Sequence, residues 1–227
     1  MDASGPPDIV VVAGGTAPSR SIVVPSSTFV VAADSGVALA QALGLRVDVA
    51  VGDFDSLDAD LVARLDDLAD EVRRHPVDKN ATDLELALAV AVERSPARVL
   101  VVGLEGGRPD HALANVLVAA APAFASLDVE LVLDRGEAWV VRDRLVGAWP
   151  AGTTVSMLPL HGAANVSIDS VRWPLDHVTL APGTTRGISN STTAEGATTV
   201  TVHDGVVICI VPRIVPQSVP LTTESNP

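Results

Sequence analysis

Two aspartates placed directly after an apolar run could hold a divalent cation. The run at residues 49–51 ends in Gly52, and Asp53 and Asp55 follow with one residue between them. If the run is a buried strand, both aspartates leave its carboxyl end, where open α/β sheets bind their ligands. Two carboxylates about 4 Å apart repel by roughly 4 kcal/mol at an effective dielectric constant of about 20, which a cation or a shared proton relieves. Oxygen ligands without histidine or cysteine nearby favour Mg²⁺ over zinc or iron. The alternative is a simple turn, since Asp and Ser are common turn residues.

A third aspartate, Asp34, ends another apolar run and precedes Ser35 and Gly36. A glycine at the start of a helix lets a ligand approach the backbone closely. Asp34 or Ser35 could instead cap that helix, since both residue types accept hydrogen bonds from free backbone N–H groups. The segment therefore predicts either a ligand contact or only a helix start.

The segment 79–85 places a fourth aspartate at the start of a helix. Thr82 and Glu85 match a capping box, which puts Asp83 in the first helical turn. Complementing the helix dipole would by itself account for Asp83. A position on the same sheet edge as the first two aspartates instead makes Asp83 a further ligand of a shared metal site. Lys79, just ahead of this helix, either contacts a phosphate or lies on the solvated surface.

The loop at residues 103–111 has the composition of an anion-binding loop. It contains three glycines and Arg108 before Asp110 begins a helix. Glycine N–H groups can approach an anion, the helix terminus adds positive potential, and an arginine can grip phosphate with two hydrogen bonds. The loop matches neither GxxxxGK[ST] nor GxGxxG, which disfavours P-loop and dinucleotide-binding proteins. Alternatively, the glycines form a turn and Asp110 caps the helix. The candidate contacts here are Gly106, Gly107, Arg108, Asp110, His111 and Asn115.

Trp173, followed by Pro174, stands out because aromatic residues make up only 3% of the chain. Indole is the best aromatic partner for a cation and can stack on a flat ring. Alternatively, Trp173 packs in the hydrophobic core. The loop that contains Ser189 and Asn190 is the second notable feature of this C-terminal region.

The composition narrows the class of protein. The chain has 227 residues, 48% of them hydrophobic, which suffices for one large domain or two modest ones. A formal charge of −13 argues against nucleic acid or an anionic membrane as partner, but not against a nucleotide. A single cysteine, Cys209, excludes an intramolecular disulfide. Neither a signal sequence nor an apolar run of about 18 residues occurs, so we predict a soluble, cytoplasmic protein.

Short β-rich runs alternate with helix-period segments up to about residue 141, which predicts an α/β fold with a mostly parallel sheet and helices on both faces. The runs are continuously apolar, as strands covered on both sides should be. The predicted strands span residues 9–13, 29–33, 48–51, 71–75, 98–102 and 130–133. The predicted helices span residues 36–43, 58–68, 82–94 and 111–121.

Beyond residues 147–152 the helical periodicity ends, which predicts a small all-β domain of sandwich type. Its predicted strands span residues 153–158, 164–168, 179–180, 197–202 and 206–211. His203-Asp204-Gly205 is predicted to join the last two as a hairpin turn. We therefore expect an α/β domain at residues 1–146, a β-sandwich at 147–212 and a flexible tail at 213–227.

Taken together, these segments resemble the thiamine pyrophosphokinase (thiamine diphosphokinase) family, in the family's order and over nearly the whole chain. The resemblance implies an N-terminal α/β domain that binds ATP and a C-terminal β-sandwich that helps to bind thiamine. It also implies a homodimer with active sites between subunits, in which the Trp173 segment reaches the partner's site. The matching segments are Ala33-Asp34-Ser35-Gly36, Gly52-Asp53-Phe54-Asp55-Ser56, Lys79 with Thr82-Asp83-Leu84-Glu85, Gly106-Gly107-Arg108 with Asp110-His111 and Asn115, Trp173-Pro174-Leu175, and Gly187-Ile188-Ser189-Asn190.

The reaction that the resemblance implies starts with attack of the thiamine hydroxyethyl oxygen on the β-phosphorus of ATP, and it gives thiamine diphosphate and AMP. Asp53, Asp55 and Asp83 are the expected ligands of Mg²⁺. Lys79 and Arg108 are expected to neutralise charge on the phosphates, since positioning and electrostatics dominate phosphoryl transfer. The general base is left open between a carboxylate and a histidine.

The substrate contacts follow from the same resemblance. Trp173, Ser189 and Asn190 are expected to bind thiamine. The expected ATP contacts are Asp34, Ser35, Gly36, Lys79, Thr82, Gly106, Gly107, Arg108, Asp110, His111 and Asn115.

Two positions depart from the family pattern. Ser35 stands where the family usually has glycine, and Asn80 stands where it commonly has aspartate. Asparagine can coordinate a metal through oxygen but adds no negative charge, which would lower the affinity for Mg²⁺. Two alternative functions are open: a related pyrophosphokinase of the same build acting on another heterocyclic alcohol such as a hydroxymethylpterin, and a non-catalytic thiamine- or nucleotide-binding module, which only Asn80 supports.

Overall fold

A computed structural model describes residues 1–3, 5–19, 21–95, 98–106, 108–193 and 196–213. Its strands are β1 (Ile9–Val12), β2 (Phe29–Ala33), β3 (Val47–Gly52), β4 (Ala69–Arg74), β5 (Arg98–Val102), β6 (Asp128–Leu133), β7 (Gly136–Val141), β8 (Arg144–Trp149), β9 (Thr154–Ile168), β10 (Leu175–Leu180), β11 (Asn190–Ser191) and β12 (Gly196–Pro212). Its helices are α1 (Gly36–Ala42), α2 (Ala59–Val62), α3 (Leu65–Leu68), α4 (Asp83–Glu93), α5 (Pro109–Ala119) and a 3-10 turn (Pro122–Phe124).

The N-terminal half is a parallel sheet in the order β4-β3-β2-β1-β5-β6. Its central strand β1 is buried on both faces, because alternate residues belong to different core clusters. Val11 packs in the cluster that includes Leu88 of α4, whereas Val10 packs with Val37 of α1 and Leu65 of α3. Helices therefore cover both faces, and the predicted α/β architecture is confirmed.

The C-terminal half is antiparallel and built on two long strands, β9 and β12, that change their core-facing side halfway along. On β12, Val202 and Cys209 lie in the same core cluster although their positions differ in parity. Irregular pairing at residues 202–206 produces the change, and positive φ angles at His161 and Gly162 accompany it on β9. Such bulges bend a strand and reverse its faces. The bent strands enclose one core, while β12 also pairs with β7 in antiparallel fashion, and β7 in turn pairs antiparallel with β6 of the N-terminal sheet.

The predicted hairpin at His203-Asp204-Gly205 is wrong. β12 runs through this segment without reversing, since its pairing with β9 stays antiparallel on both sides. Gly205 adopts a φ of 84°, and a Cβ atom there would lie 2.6 Å from the Ala163 carbonyl oxygen. The Asp-Gly signal therefore marks a bulge and not a chain reversal.

Further differences concern which elements form and where they begin and end. The predicted helix 58–68 is two short helices, α2 and α3, and the strands β7 and β8 were not predicted. β8 spans the predicted domain boundary at residues 146–147, which stays a prediction. Of the predicted tail, residues 214–227 lie outside the described residues. None of the described helices has the length and apolar character that a bilayer crossing requires.

Candidate active site

A cleft of about 500 Å³ opens at the carboxyl edge of the parallel strands. The loops that follow β1, β2, β3 and β5 line it, together with the first turns of α4 and α5. Parallel strands all end on one edge, so residues far apart in the chain converge there. The predicted site residues that line the cleft are Asp34, Ser35, Asp53, Asp55, Thr82, Asp83, Gly106, Arg108, His111 and Asn115. Gly107 lies outside the described residues.

Three carboxylates form a compact acidic group in this cleft. Asp34, Asp53 and Asp55 each bring an oxygen atom within 4.8 Å of the others. Asp34 is buried, its Oδ2 accepts a hydrogen bond from the Ser56 hydroxyl, and its Oδ1 has no hydrogen-bond partner. A buried carboxylate oxygen without a donor is costly unless a cation binds it. The group therefore fits a hard divalent cation such as Mg²⁺.

The pKa shifts of the two neighbouring aspartates move in opposite directions. A hydrogen bond from Lys79 lowers the pKa of Asp53. The negative charge of Asp53 raises the pKa of Asp55, with some help from desolvation. Like charges held close together produce this pattern, and a bound cation would relieve it.

Lys79 joins the acidic group to Asp83. Its ammonium nitrogen Nζ contacts a carboxylate oxygen of Asp53 and lies 3.0 Å from Asp83 Oδ1. Burial raises the pKa of Asp83 despite this pairing. For Lys79, burial lowers the pKa, but the contacts with both carboxylates outweigh it and the net shift is upward. The three carboxylates that lie closest together are thus those of Asp34, Asp53 and Asp55, whereas the sequence predicted Asp83 in place of Asp34. The role of Asp83 as a metal ligand stays a prediction.

The turn after β3 explains how Asp53 and Asp55 both reach the cleft. Phe54 between them adopts a φ of 61° and buries its ring in the core. A bulky residue in this left-handed region is strained, and such strain is common at functional sites. Gly52, two residues before Phe54, has a φ of 152°, and a Cβ atom there would lie 3.1 Å from Asp83 Oδ1.

The floor of the cleft contains two glycines that the sequence analysis missed, Gly14 and Gly15. The N–H of Gly15 donates to the Gly103 carbonyl oxygen at 2.8 Å, which joins the loop after β1 to the loop after β5. A Cβ atom on Gly15 would lie 2.3 Å from the Glu105 carbonyl oxygen, and one on Gly14 would lie 2.2 Å from Ser35 Oγ. Both glycines directly follow an apolar run, and this position in the sequence could have identified them as candidate site residues.

Two contacts in and just before α5 shape the predicted anion loop, one between Arg108 and Asp110 and one from Asn115 to the loop backbone. Arg108 Nη2 lies 2.6 Å from Asp110 Oδ2, and this hydrogen bond lowers the pKa of Asp110 to about 2. Asn115 Nδ2 donates to the Leu104 carbonyl oxygen at 3.1 Å and so fixes the loop. Lys79, Gly36 and Asp110 do not line the cleft directly, although Lys79 contacts its carboxylates.

A second groove of about 740 Å³ lies in the antiparallel half, beside Trp173. The Trp173 side chain is 54% exposed, so it is a surface residue and not core filler. Buried Asn190 holds its backbone: Nδ2 donates to the Trp173 carbonyl oxygen at 2.7 Å, and Oδ1 accepts from the Trp173 N–H at 3.1 Å. Ser189 and Asn190 both line the groove, and their contact with thiamine stays a prediction. Among the described residues, groove and cleft share no lining residue.

Comparison with known proteins assigns both halves of the chain to the same protein family. The sequence model of the thiamin pyrophosphokinase catalytic domain matches residues 22–131, and that of the thiamin pyrophosphokinase vitamin B1 binding domain matches residues 142–207. The chain is 26% identical to a thiamine pyrophosphokinase of Bacillus subtilis over 196 residues, which cover 80% of this chain and 88% of the relative.

Solved structures agree with these matches. A thiamin pyrophosphokinase family protein of Enterococcus faecalis superposes with a TM-score of 0.78 at 25% identity, covering 91% of this chain and 99% of that one. The thiamin pyrophosphokinase of Candida albicans has the same fold, with a TM-score of 0.70 at 12% identity over 91% of this chain and 89% of that one. By its cleft, its groove and its two matched domains, the chain belongs to the thiamin pyrophosphokinase family.

Proposed function

We propose that the protein transfers pyrophosphate from ATP to the hydroxyethyl oxygen of thiamine, giving thiamine diphosphate and AMP. The observation that carries the proposal is the convergence of Asp34, Asp53 and Asp55 on one cleft at the edge of a parallel sheet. A nucleotide phosphate chain with a divalent cation is the ligand chemistry that such an edge accommodates.

The acidic group is proposed to hold Mg²⁺, which would neutralise charge on the phosphate oxygens. Asp53 and Asp55 are its proposed ligands from the sequence, and the buried, unpartnered Oδ1 of Asp34 adds a third oxygen. Asp83 keeps its proposed role beside them. Asn80, where the family commonly has aspartate, is exposed and does not line the cleft, so it gives little support to a non-catalytic module.

The phosphate chain is proposed to lie between the acidic group and the loop after β5. Arg108 lines the cleft there and can exchange its partner Asp110 for a phosphate, since both side chains are exposed. Backbone N–H groups of Gly106 and the first turn of α5 offer further donors. The other predicted ATP contacts in the cleft, Ser35, Thr82, His111 and Asn115, line its wall.

In the proposed step, the thiamine hydroxyl oxygen forms a bond to the β-phosphorus of ATP, and the bond from that phosphorus to the bridging α–β oxygen breaks. The bridging oxygen leaves with AMP and keeps the electron pair. The hydroxyl proton passes to a carboxylate of the cleft. Asp83 suits this role only where it does not ligate the cation, because burial raises its pKa and so makes it a stronger base.

Thiamine is proposed to bind at the Trp173 groove, with its rings stacked on the exposed indole and Ser189 nearby. Because the cleft and the groove have no lining residue in common, a homodimer is proposed in which the groove of one copy faces the cleft of its partner. Each active site would then lie between subunits. We also propose that the protein is located in the cytoplasm.

Product analysis tests the reaction directly. Incubation with Mg-ATP and thiamine is expected to give equal amounts of AMP and thiamine diphosphate, and omission of thiamine or addition of a chelator should stop both. AMP formation with a hydroxymethylpterin but not with thiamine would instead identify the related pyrophosphokinase. Tight thiamine binding without AMP formation would identify a non-catalytic module.

The Trp173→Ala variant tests the groove. Loss of a stacked ring is expected to raise the KM for thiamine about tenfold while the KM for ATP changes less than about twofold. Trp173→Phe, which keeps an aromatic surface, serves as the matched control and should stay closer to the wild type. Equal changes in both KM values would remove Trp173 from the thiamine site.

A further inference from the structure

The Trp173 groove contains two arginines and, among the described residues that line it, no carboxylate. Arg172 and Arg186 lie on its wall, both exposed. Neither forms an ion pair within the part of the chain that the structure describes. In a protein with a formal charge of −13, two such guanidinium groups in one groove mark a local positive site.

The cleft differs in this respect. Its cation Lys79 is bound by Asp53 and Asp83, and Arg108 is bound by Asp110. These cations must give up a carboxylate before they can bind a phosphate with their full hydrogen-bonding capacity. The arginines of the groove can bind an anion without that exchange.

Arg172 also restricts where a ring can stack. Its guanidinium carbon Cζ lies 4.7 Å from the centroid of the Trp173 ring, a cation–π contact on one face of the indole. A flat ligand that stacks on this indole must therefore use the opposite face or displace the guanidinium. The edge of a stacked guanidinium keeps its N–H donors free for an anion attached to such a ligand.

We propose that Arg172 and Arg186 form an anion subsite beside Trp173 that binds phosphate groups. This inference rests on the proposed function and deepens it. Thiamine is a cation that gains two phosphate groups in the reaction, so the two arginines disfavour the free substrate and favour the phosphorylated end of the product. A nucleotide phosphate chain presented by a second copy has the same chemistry, and the test distinguishes the two sources.

The test measures ligand binding by protection of tryptophan fluorescence from acrylamide, a neutral quencher. Of the three tryptophans, Trp173 is exposed, Trp149 is partly buried and Trp139 is buried, so protection reports mainly on the groove. Titrations in chelator with thiamine, thiamine diphosphate, inorganic pyrophosphate and ATP compare the wild type with Arg172→Gln and Arg186→Gln. The control is Arg64→Gln, which removes the same charge from an exposed residue that lines neither site.

Each groove substitution is expected to weaken binding of thiamine diphosphate and pyrophosphate about tenfold, as loss of a charge-assisted hydrogen bond should. Thiamine binding should stay within about twofold of the wild type or become tighter, and Arg64→Gln should change nothing. Because Arg172→Gln also alters the fluorescence of Trp173, affinities are taken from titration midpoints and not from amplitudes. Unfolding curves of the variants verify that they are folded.

Unchanged binding of all four ligands in both groove variants would overturn the proposal. Equal weakening of thiamine and thiamine diphosphate would also overturn it, since the arginines would then only shape the groove. Weakening that occurs for ATP and pyrophosphate but not for thiamine diphosphate assigns the subsite to the nucleotide phosphates. Pyrophosphate binding that depends on the arginines, in a protein that binds no thiamine, would refute the proposed function and leave the anion subsite in place.

Discussion

Asp34→Asn separates the role of this carboxylate in catalysis from its role in the fold. The change removes one negative charge from the acidic group and keeps the shape of the side chain. Asparagine tolerates the positive φ of 47° at this position and can still accept the hydrogen bond of Ser56. Any large effect therefore comes from the lost charge.

The structure predicts that the metal-free variant is more stable than the wild type. Oxygen atoms of Asp34 and Asp53 lie within 4.8 Å of each other. Two unit charges at that separation repel by about 1 kcal/mol in water and about 3 kcal/mol at an effective dielectric constant of about 20. Lys79 offsets part of this repulsion through its contact with Asp53, so we expect a gain of about 1 to 2 kcal/mol in the free energy of unfolding.

Activity should change in the opposite direction. Loss of an outer-shell partner of a metal typically costs about 10-fold to 100-fold, and loss of a proposed direct ligand should cost at least about 100-fold in kcat/KM. Raising the Mg²⁺ concentration should restore part of the rate. The assay is thiamine-dependent AMP release at increasing Mg²⁺, combined with urea unfolding in chelator.

The matched control is Asp67→Asn, which removes a charge from an exposed residue of α3. It should leave both measurements near those of the wild type. A variant at Asp34 that is fully active would falsify its assignment to the metal group. A variant that is both inactive and less stable in chelator would show that Asp34 supports the fold and not a cation.

Three other predictions follow from single contacts. Gly36→Ala should lower the free energy of unfolding by about 2 kcal/mol, because its Cβ would lie 2.1 Å from the Val12 carbonyl oxygen; a urea titration with no loss would contradict this contact. Burial raises the pKa of the Cys209 thiol to about 12, so a thiol reagent at about pH 8 should label the folded protein at least about 100-fold more slowly than the unfolded chain, and equal rates would show an accessible thiol. Lys79 holds the pKa of Asp53 below its usual 3.8, so the stability from this pair is present above that value and is lost as the pH falls through the lowered pKa. Lys79→Gln should therefore differ from the wild type less at about pH 3 than at about pH 6 in urea unfolding, and a constant difference would exclude the pairing.

The sequence by itself determined the parallel sheet and the edge at which the site lies. Continuous apolar runs specify buried strands through local patterning, and each parallel strand must end at the same edge. Asp34 and Asp53 follow directly after such runs, so their presence at that edge needed no long-range information. Thr82 could also be identified from local sequence, as the first residue of a capping box. Its side chain accepts a hydrogen bond from the Glu85 N–H at 3.2 Å, within a single helical turn.

Tertiary structure alone decided which side chains meet. The close grouping of Asp34 with Asp53 depends on the pairing of β2 with β3 and on strained turns after both strands, and no local pattern gives distances between separate segments. The residues around Gly205 form a bulge because β9 continues to pair on both sides of them, whereas the same letters suit a hairpin.

The exposure of Trp173 shows the same dependence. Whether an aromatic residue fills a core or lines a groove is set by what packs against it, and here the buried amide of Asn190 fixes its backbone from a segment 17 residues away. Local sequence fixes backbone preference and the chemistry of each side chain. Burial, spacing and charge pairing arise only when distant segments pack together, because those quantities belong to contacts and not to residues.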